Sequence, residues 1–279
     1  MTNPRAPLIA SLYVPGDRPE RFDKALAAGA DQVIVDLEDA VAPERKPYAR
    51  AAVAEFLAGR ADGGAQIAVR PNGPDTPWQR ADLEMLAALP RLPALRLPKV
   101  EGPGVVDRLP PELLAGGLTC LVETALGVEQ AYAIAAHPAV SAVTLGEADL
   151  RAQLRITDEA GLDWLRVRLV VAARAAGLDP PQLSIYPWLD DDEGLLASCR
   201  HGAGLGLLGR TAIHPRQVPV IRRAFRPAKV ELEQAQQVVA ALNGSVGAAR
   251  LGDGRMVDEA MAVEARRTLQ LYDLLGDQD

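Results

Sequence analysis

Two acidic side chains stand at the ends of adjacent β-rich runs: Glu123 after the apolar CLV and Asp149 after TLGEA. Paired carboxylates of this kind suit a hard divalent cation such as Mg²⁺, which keeps several waters and takes other ligands from substrate. The same pair could act as general acid and base, or each could be bonded to one of the protein's own arginines. A further cluster, Asp36, Glu38 and Asp39 in VIVDLEDAV, favours the metal reading. Like charges gathered there need something positive among them, and their oxygens could hold a metal's waters. Gly146, in GEAD, would let backbone amides approach an anion closely, although the motif is short and weak alone.

These residues fall at the ends of β-rich runs. Eight such runs are legible: 8–14, 32–38, 66–72, 94–100, 118–124, 142–149, 183–188 and 205–214. Most are followed by Ala-, Leu-, Glu- and Arg-rich stretches with apolar residues at helical spacing. Alternation of this sort, with strands that lack a polar face, predicts a parallel sheet covered on both sides, and eight units match a (β/α)₈ barrel. An open doubly wound sheet is the alternative. In a barrel the C-terminal strand ends share one mouth, and here they carry PGDR, DLED, Arg70 with Asn72, Lys99, Glu123 with Thr124, and Glu147 with Asp149. Residues 1–225 are therefore read as the barrel. Residues 226–279 are read as a helical C-terminal extension, with helices near 228–243 and 256–275 and no clear strand pair between them.

The remaining sequence excludes several function classes. Thirty basic and 37 acidic residues are interleaved, for a net charge of −7, so no basic stripe offers a nucleic-acid surface. Cys120 and Cys199 have neither disulfide-framework nor zinc spacing, and a reducing cytoplasm is the simplest compartment. LIASLYV is too short for a membrane span and lacks signal-peptide flanks. His137, His201 and His214 form no metal-ligand pair, GAGLGLLGR fails the dinucleotide fingerprint, and no GxSxG motif occurs. Arg18, Arg21 and Lys24 around PGDRPERF could meet a phosphate, again without a full fingerprint.

Taken in order, YVPGDRPERFDKALAAGADQVIVDLEDAVAPERK, VRPNG, LPKVE, LVETALGV, LGEADL, IYPWLDDDEGL, IHPRQV and DGRMVDEAM make a specific pattern. On these motifs the chain resembles the citrate lyase beta-subunit-like branch of the HpcH/HpaI aldolase superfamily, together with malyl-CoA and citramalyl-CoA lyases. The resemblance implies a Mg²⁺-dependent barrel enzyme that breaks or makes a carbon–carbon bond between an acyl thioester and a 2-oxo acid such as oxaloacetate, glyoxylate or pyruvate. The thioester would be of coenzyme A or an acyl carrier protein.

It makes Glu123 and Asp149 the metal ligands and Arg70 the cation beside the substrate oxygens. It gives the amides of Gly146, Glu147 and Ala148 the oxo-acid carboxylate. Asp36, Glu38 and Asp39 become an outer acidic loop, and Asp258 an acid/base that a neighbouring subunit supplies in a homo-oligomer, a trimer. Arg210 departs from the lysine of many relatives. A free 2-oxo acid aldolase and a non-catalytic metal- and ligand-binding subunit are the alternatives.

Overall fold

The computed structural model describes residues 7–60, 63–243 and 248–276. Contacts divide the chain into two compact units, one of Pro7–Ala224 and another that holds Phe225 onward.

The first unit is built on seven parallel strands: β1 (Ala10–Pro15), β2 (Gln32–Asp36), β3 (Gln66–Arg70), β4 (Ala94–Leu97), β5 (Leu118–Val122), β6 (Ala142–Leu145) and β7 (Arg210–Ala212). Their order is β6-β5-β4-β3-β2-β1-β7. Every residue of β2 and β4 is buried, the signature of strands covered on both faces. Tyr13, Ile34, Ala68 and Ala94 pack together from four successive strands as one interior layer. The sheet is strongly curled. Arg96 of β4 donates through Nη2 to Thr211 Oγ1 of β7 at 3.1 Å, although three strands separate them in the sheet order.

The expected strand over 183–188 shrinks to a bridge. Leu183 N–H donates to Gly209 O at 2.9 Å and its carbonyl accepts from Thr211 N–H at 3.1 Å, giving one parallel bridge to Arg210. Pro180, Pro181 and Pro187 bracket the segment and lack the N–H groups that a longer ladder needs. On its other side Gln182 O accepts from Thr144 Oγ1 of β6 at 3.1 Å, so this short segment touches both edges of the sheet. The other strands are also shorter than the runs that predict them, two of them most of all. The sixth ends at Leu145, where the helix Glu147–Leu154 begins, and the last is strand only over Arg210–Ala212.

In the second unit the helices Lys229–Leu242 and Glu259–Leu275 enclose Ala235, Val238, Leu251, Val257 and Ala265. The expectation of no strand pair is corrected. β8 (Ala248–Arg250) and β9 (Met256–Asp258) form a short antiparallel hairpin. Its tip escapes a periodicity reading because three-residue strands carry almost no alternation. Among the described residues no helix is long and apolar enough to cross a membrane.

Candidate active site

Register delivers the first half of the site, since Asp36 and Arg70 are direct partners across β2 and β3. Arg70 Nε donates to Asp36 Oδ1 at 2.7 Å and Nη2 to Oδ2 at 2.6 Å, a bidentate pair that is almost wholly buried. Asp36 also accepts the N–H groups of Glu38 and Ala40, which leaves its carboxylate fully engaged. Arg70 Nη1 reaches Asp39 Oδ2 at 3.0 Å and lies 3.1 Å from Glu38 Oε2. The Tyr13 ring lies 4.9 Å from the guanidinium carbon. Burial pulls this guanidinium down, yet Asp36 more than reverses that and holds it charged. Burial pushes the Glu38 carboxyl up to about 8 even with Arg70 beside it. Lys46 was not expected here. Its buried Nζ donates to the carbonyls of Leu37 and Glu38 and so fixes the acidic loop.

The second half lies across β4, β5 and β6. Glu123 follows the last residue of β5, and Gly146 the last of β6, where Val122 and Leu145 are paired. A Cβ on Gly146 would lie 2.3 Å from Glu123 Oε2 and 2.4 Å from Glu123 Cβ. Glycine is thus required to make room for the Glu123 carboxylate. The N–H of Gly146 donates to Val122 O at 3.0 Å. The first-turn amides of Ala148 and Asp149 keep no intrahelical acceptor. Asp149 stands in that first turn, four residues past the last residue of β6.

Lys99 joins the group from the end of β4. Its backbone N–H donates to Glu123 Oε1 at 2.7 Å, and its Nζ lies 3.7 Å from Glu123 Oε1, 3.7 Å from Glu38 Oε1 and 3.5 Å from Asp149 Oδ1. Burial lowers the ammonium, but Glu123, Glu38 and Asp149 together outweigh it and raise it. Burial raises the Glu123 carboxyl, with Lys99 opposing and Asp149 adding to the effect. The LPKVE motif was legible, but lysine after a strand is common enough that only its three neighbours single it out.

Glu147 is turned away from this mouth. Both its oxygens accept from buried Arg166, at 2.8 and 2.9 Å, and Arg166 also holds Glu159 and Asp163. The Glu147 backbone N–H donates to Ser184 Oγ at 3.5 Å. Asn72 is held through its N–H and Nδ2 by buried Asp82, which anchors the strand-three end. The PGDR turn has a packing explanation: a Cβ at Gly16 would meet Asp36 O at 2.7 Å, and Asp17 is paired with Arg45. In the second unit Asp258 is exposed and caps the last helix, accepting Met261 N–H through Oδ1 at 3.1 Å.

Among the described residues no three His, Cys, Asp or Glu side chains are gathered tightly enough to be a metal site by themselves. The donor set nevertheless fits Mg²⁺. Glu123 and Asp149 both face one positive charge, the Lys99 ammonium, and two carboxylates leave positions for water and substrate oxygens.

A curled seven-stranded parallel sheet carries acidic and cationic side chains at its C-terminal strand ends, an α/β arrangement of the barrel-like kind. The family profile described as HpcH/HpaI aldolase/citrate lyase matches residues 10–215, and the chain belongs to that family. It is 36% identical over 283 residues to a (3S)-malyl-CoA thioesterase of Cereibacter sphaeroides, covering 96% of each chain. It is 33% identical over 309 residues to an L-malyl-CoA/beta-methylmalyl-CoA lyase of the same species, covering 98% of this chain and 97% of the relative. A solved structure of protein CitE from Mycobacterium tuberculosis in complex with magnesium, acetoacetate and coenzyme A superposes with a TM-score of 0.84. It shares 35% identity and covers 97% of this chain and 100% of that one.

Proposed function

We propose that the protein is a Mg²⁺-dependent carbon–carbon lyase. It cleaves, or in reverse forms, a 3-hydroxyacyl thioester of citryl, malyl or citramalyl type, yielding an acyl thioester and a 2-oxo acid. The observation that carries this reading is the convergence of Glu123 and Asp149 on one cation beside the buried Arg70–Asp36 pair. When bound there, Mg²⁺ supplies Lewis-acid stabilisation of the substrate hydroxyl oxygen as it loses its proton. Arg70 adds a fixed positive charge beside the same developing oxyanion. The amides of Ala148 and Asp149, at the positive end of their helix, orient the oxo-acid carboxylate. Bond cleavage leaves a thioester enolate, and one positioned acid/base group balances the protons by taking the hydroxyl proton and returning it to the enolate carbon.

We assign that acid to Asp258 of a neighbouring subunit in a homotrimer, on the motif DGRMVDEAM and the exposure of its carboxylate. Asp258→Asn keeps a side-chain oxygen for the helix cap, whereas Asp258→Ala loses it at about 1 kcal/mol. Both should lose roughly 10²- to 10⁴-fold in kcat, but only the alanine variant should melt earlier. Full activity in Asp258→Asn would end the assignment. The edge contacts of Gln182 and Leu183 support a barrel completed in eight positions by the 183–188 segment, with residues 226–279 as a separate extension. Two buried, unpaired cysteines fit a cytoplasmic protein.

Hydrolysis of the thioester is a second reading, favoured by the 36% identity to the malyl-CoA thioesterase. One assay separates them. Malyl-, citramalyl- and citryl-CoA are each incubated with Mg²⁺ or EDTA, while 2-oxo acid and free thiol are measured in parallel. The lyase gives oxo acid without thiol, and only with Mg²⁺. Thiol without oxo acid would replace this reading by hydrolysis.

A further inference from the structure

Lys99 differs from every other cation near the mouth. Its Nζ stands almost equally far from Glu38, Glu123 and Asp149, at 3.7, 3.7 and 3.5 Å, and makes a short bond to none of them. Arg70, by comparison, grips Asp36 at 2.6 and 2.7 Å. A cation suspended among three acidic groups, with one long hydrogen bond of 3.5 Å to Asp149, is held loosely and can leave at small cost. Its stem allows this, since the Lys99 side chain is 40% exposed.

The backbone is arranged for the purpose. Lys99 has φ of 53°, in the left-handed region that lysine seldom adopts, and such conformations persist at functional sites when their surroundings hold them. Here the bent strand end sends the Lys99 N–H to Glu123 Oε1 at 2.7 Å while its own ammonium returns to the same oxygen. Gly73 lines the stem, where a Cβ would come within 3.4 Å of Lys99 Cδ and of Glu38 Oε1. One residue thus does two separable things. Its backbone orients Glu123, and its side chain supplies charge.

We propose that the Lys99 ammonium is the resident cation of the metal site: it holds Glu38, Glu123 and Asp149 together in the metal-free protein and yields its place when Mg²⁺ enters. This rests on the reading of Glu123 and Asp149 as metal ligands. Glu123 and Asp149 without a cation between them repel one another, so the metal-free site needs the ammonium. Once a divalent ion faces the same oxygens, the ammonium is repelled and swings toward the open mouth, where an anionic substrate can meet it. Lys99 therefore opposes metal binding while protecting the empty site.

The test is calorimetric titration of Mg²⁺ into the full chain, with melting temperatures recorded in EDTA and in Mg²⁺. The proteins compared are wild type, Lys99→Met, Lys99→Arg and the double variant Glu123→Gln with Asp149→Asn. Lys99→Met keeps the backbone N–H on Glu123, so it should bind Mg²⁺ at least tenfold more tightly. It should also melt earlier than wild type in EDTA and gain more from added Mg²⁺. Lys99→Arg keeps the charge and should stay within a few-fold of wild type. Equal or weaker Mg²⁺ binding by Lys99→Met, with binding abolished in the double variant, would overturn the proposal and leave the ligand assignment standing. Mg²⁺ binding undiminished in the double variant would instead show that the ligand assignment itself is wrong, and the proposal with it. If Lys99→Met does not fold, Lys99→Gln takes its place in the same comparison.

Discussion

The two halves of the mouth are neutralised in opposite ways. At β2 and β3 a guanidinium closes on Asp36 through two bonds shorter than 2.8 Å, and both partners are buried. At β4 to β6 an ammonium stands at least 3.5 Å from each of three carboxylates, and Asp149 is half exposed. The first arrangement is directional and permanent, because Arg stays charged and its planar fork matches a carboxylate. The second is non-directional, because an ammonium is a point charge on a flexible stem. A site that must receive and release a cation needs one half of each kind. The locked half holds the geometry, and the loose half exchanges its charge.

That contrast can be broken most severely at Arg70. Arg70→Met leaves the buried Asp36 carboxylate without its counter-charge, and removing one partner of a buried pair costs about 3–5 kcal/mol. Losing a preorganised cation at the reacting oxygens should also lower kcat by roughly 10²- to 10³-fold. Denaturant unfolding and steady-state kinetics check the two effects together. A stable, inactive variant would show that Asp36 is neutralised by something other than Arg70.

A smaller effect is expected at Gly146, on the loose side. A methyl there collides with the Glu123 carboxylate, so Gly146→Ala should displace Glu123 and weaken Mg²⁺ by about 10- to 100-fold, as loss of ligand support commonly does. Calorimetry reads this directly. Unchanged affinity would mean that the Glu123 oxygen is placed by the Lys99 N–H alone.

The smallest effect lies between the halves, at Glu38, which touches both Arg70 and Lys99. Its carboxyl is raised from the ordinary 4.5 to about 8 in the folded protein, chiefly by burial. The unfolded chain releases this proton first, so the stability it provides is complete below the ordinary value. That stability is lost as pH rises through the folded one. In EDTA, the melting temperature of wild type relative to Glu38→Gln should fall by a few °C, on the order of 1 kcal/mol, between pH 5 and pH 8.5. A gap independent of pH would place Glu38 in a wetter setting than its burial indicates.

The sequence alone determined the alternation of strands and helices, the acidic loop, and the pairing of Glu123 with Asp149 at neighbouring strand ends. These are properties of local pattern: apolar runs demand burial, and charge at their ends demands a solvated or ligand-bearing edge. The short 183–188 bridge was less legible, since apolar composition suggests a strand while prolines deny it the ladder.

Only the tertiary structure decided which charges meet. Glu147 and Arg166, 19 residues apart, and Asp36 and Arg70, 34 apart, find each other through strand register and helix packing, which a linear pattern does not encode. The same holds for Gly146. Its local motif suggests an anion cradle, yet the neighbouring strand places Glu123 where a side chain at 146 would be. Lys99 is the clearest case. Nothing in LPKVE distinguishes it from an ordinary surface lysine, and its role arises because three carboxylates from three different segments surround one ammonium. Electrostatic energy depends on distances through space, and those exist only once the sheet has curled.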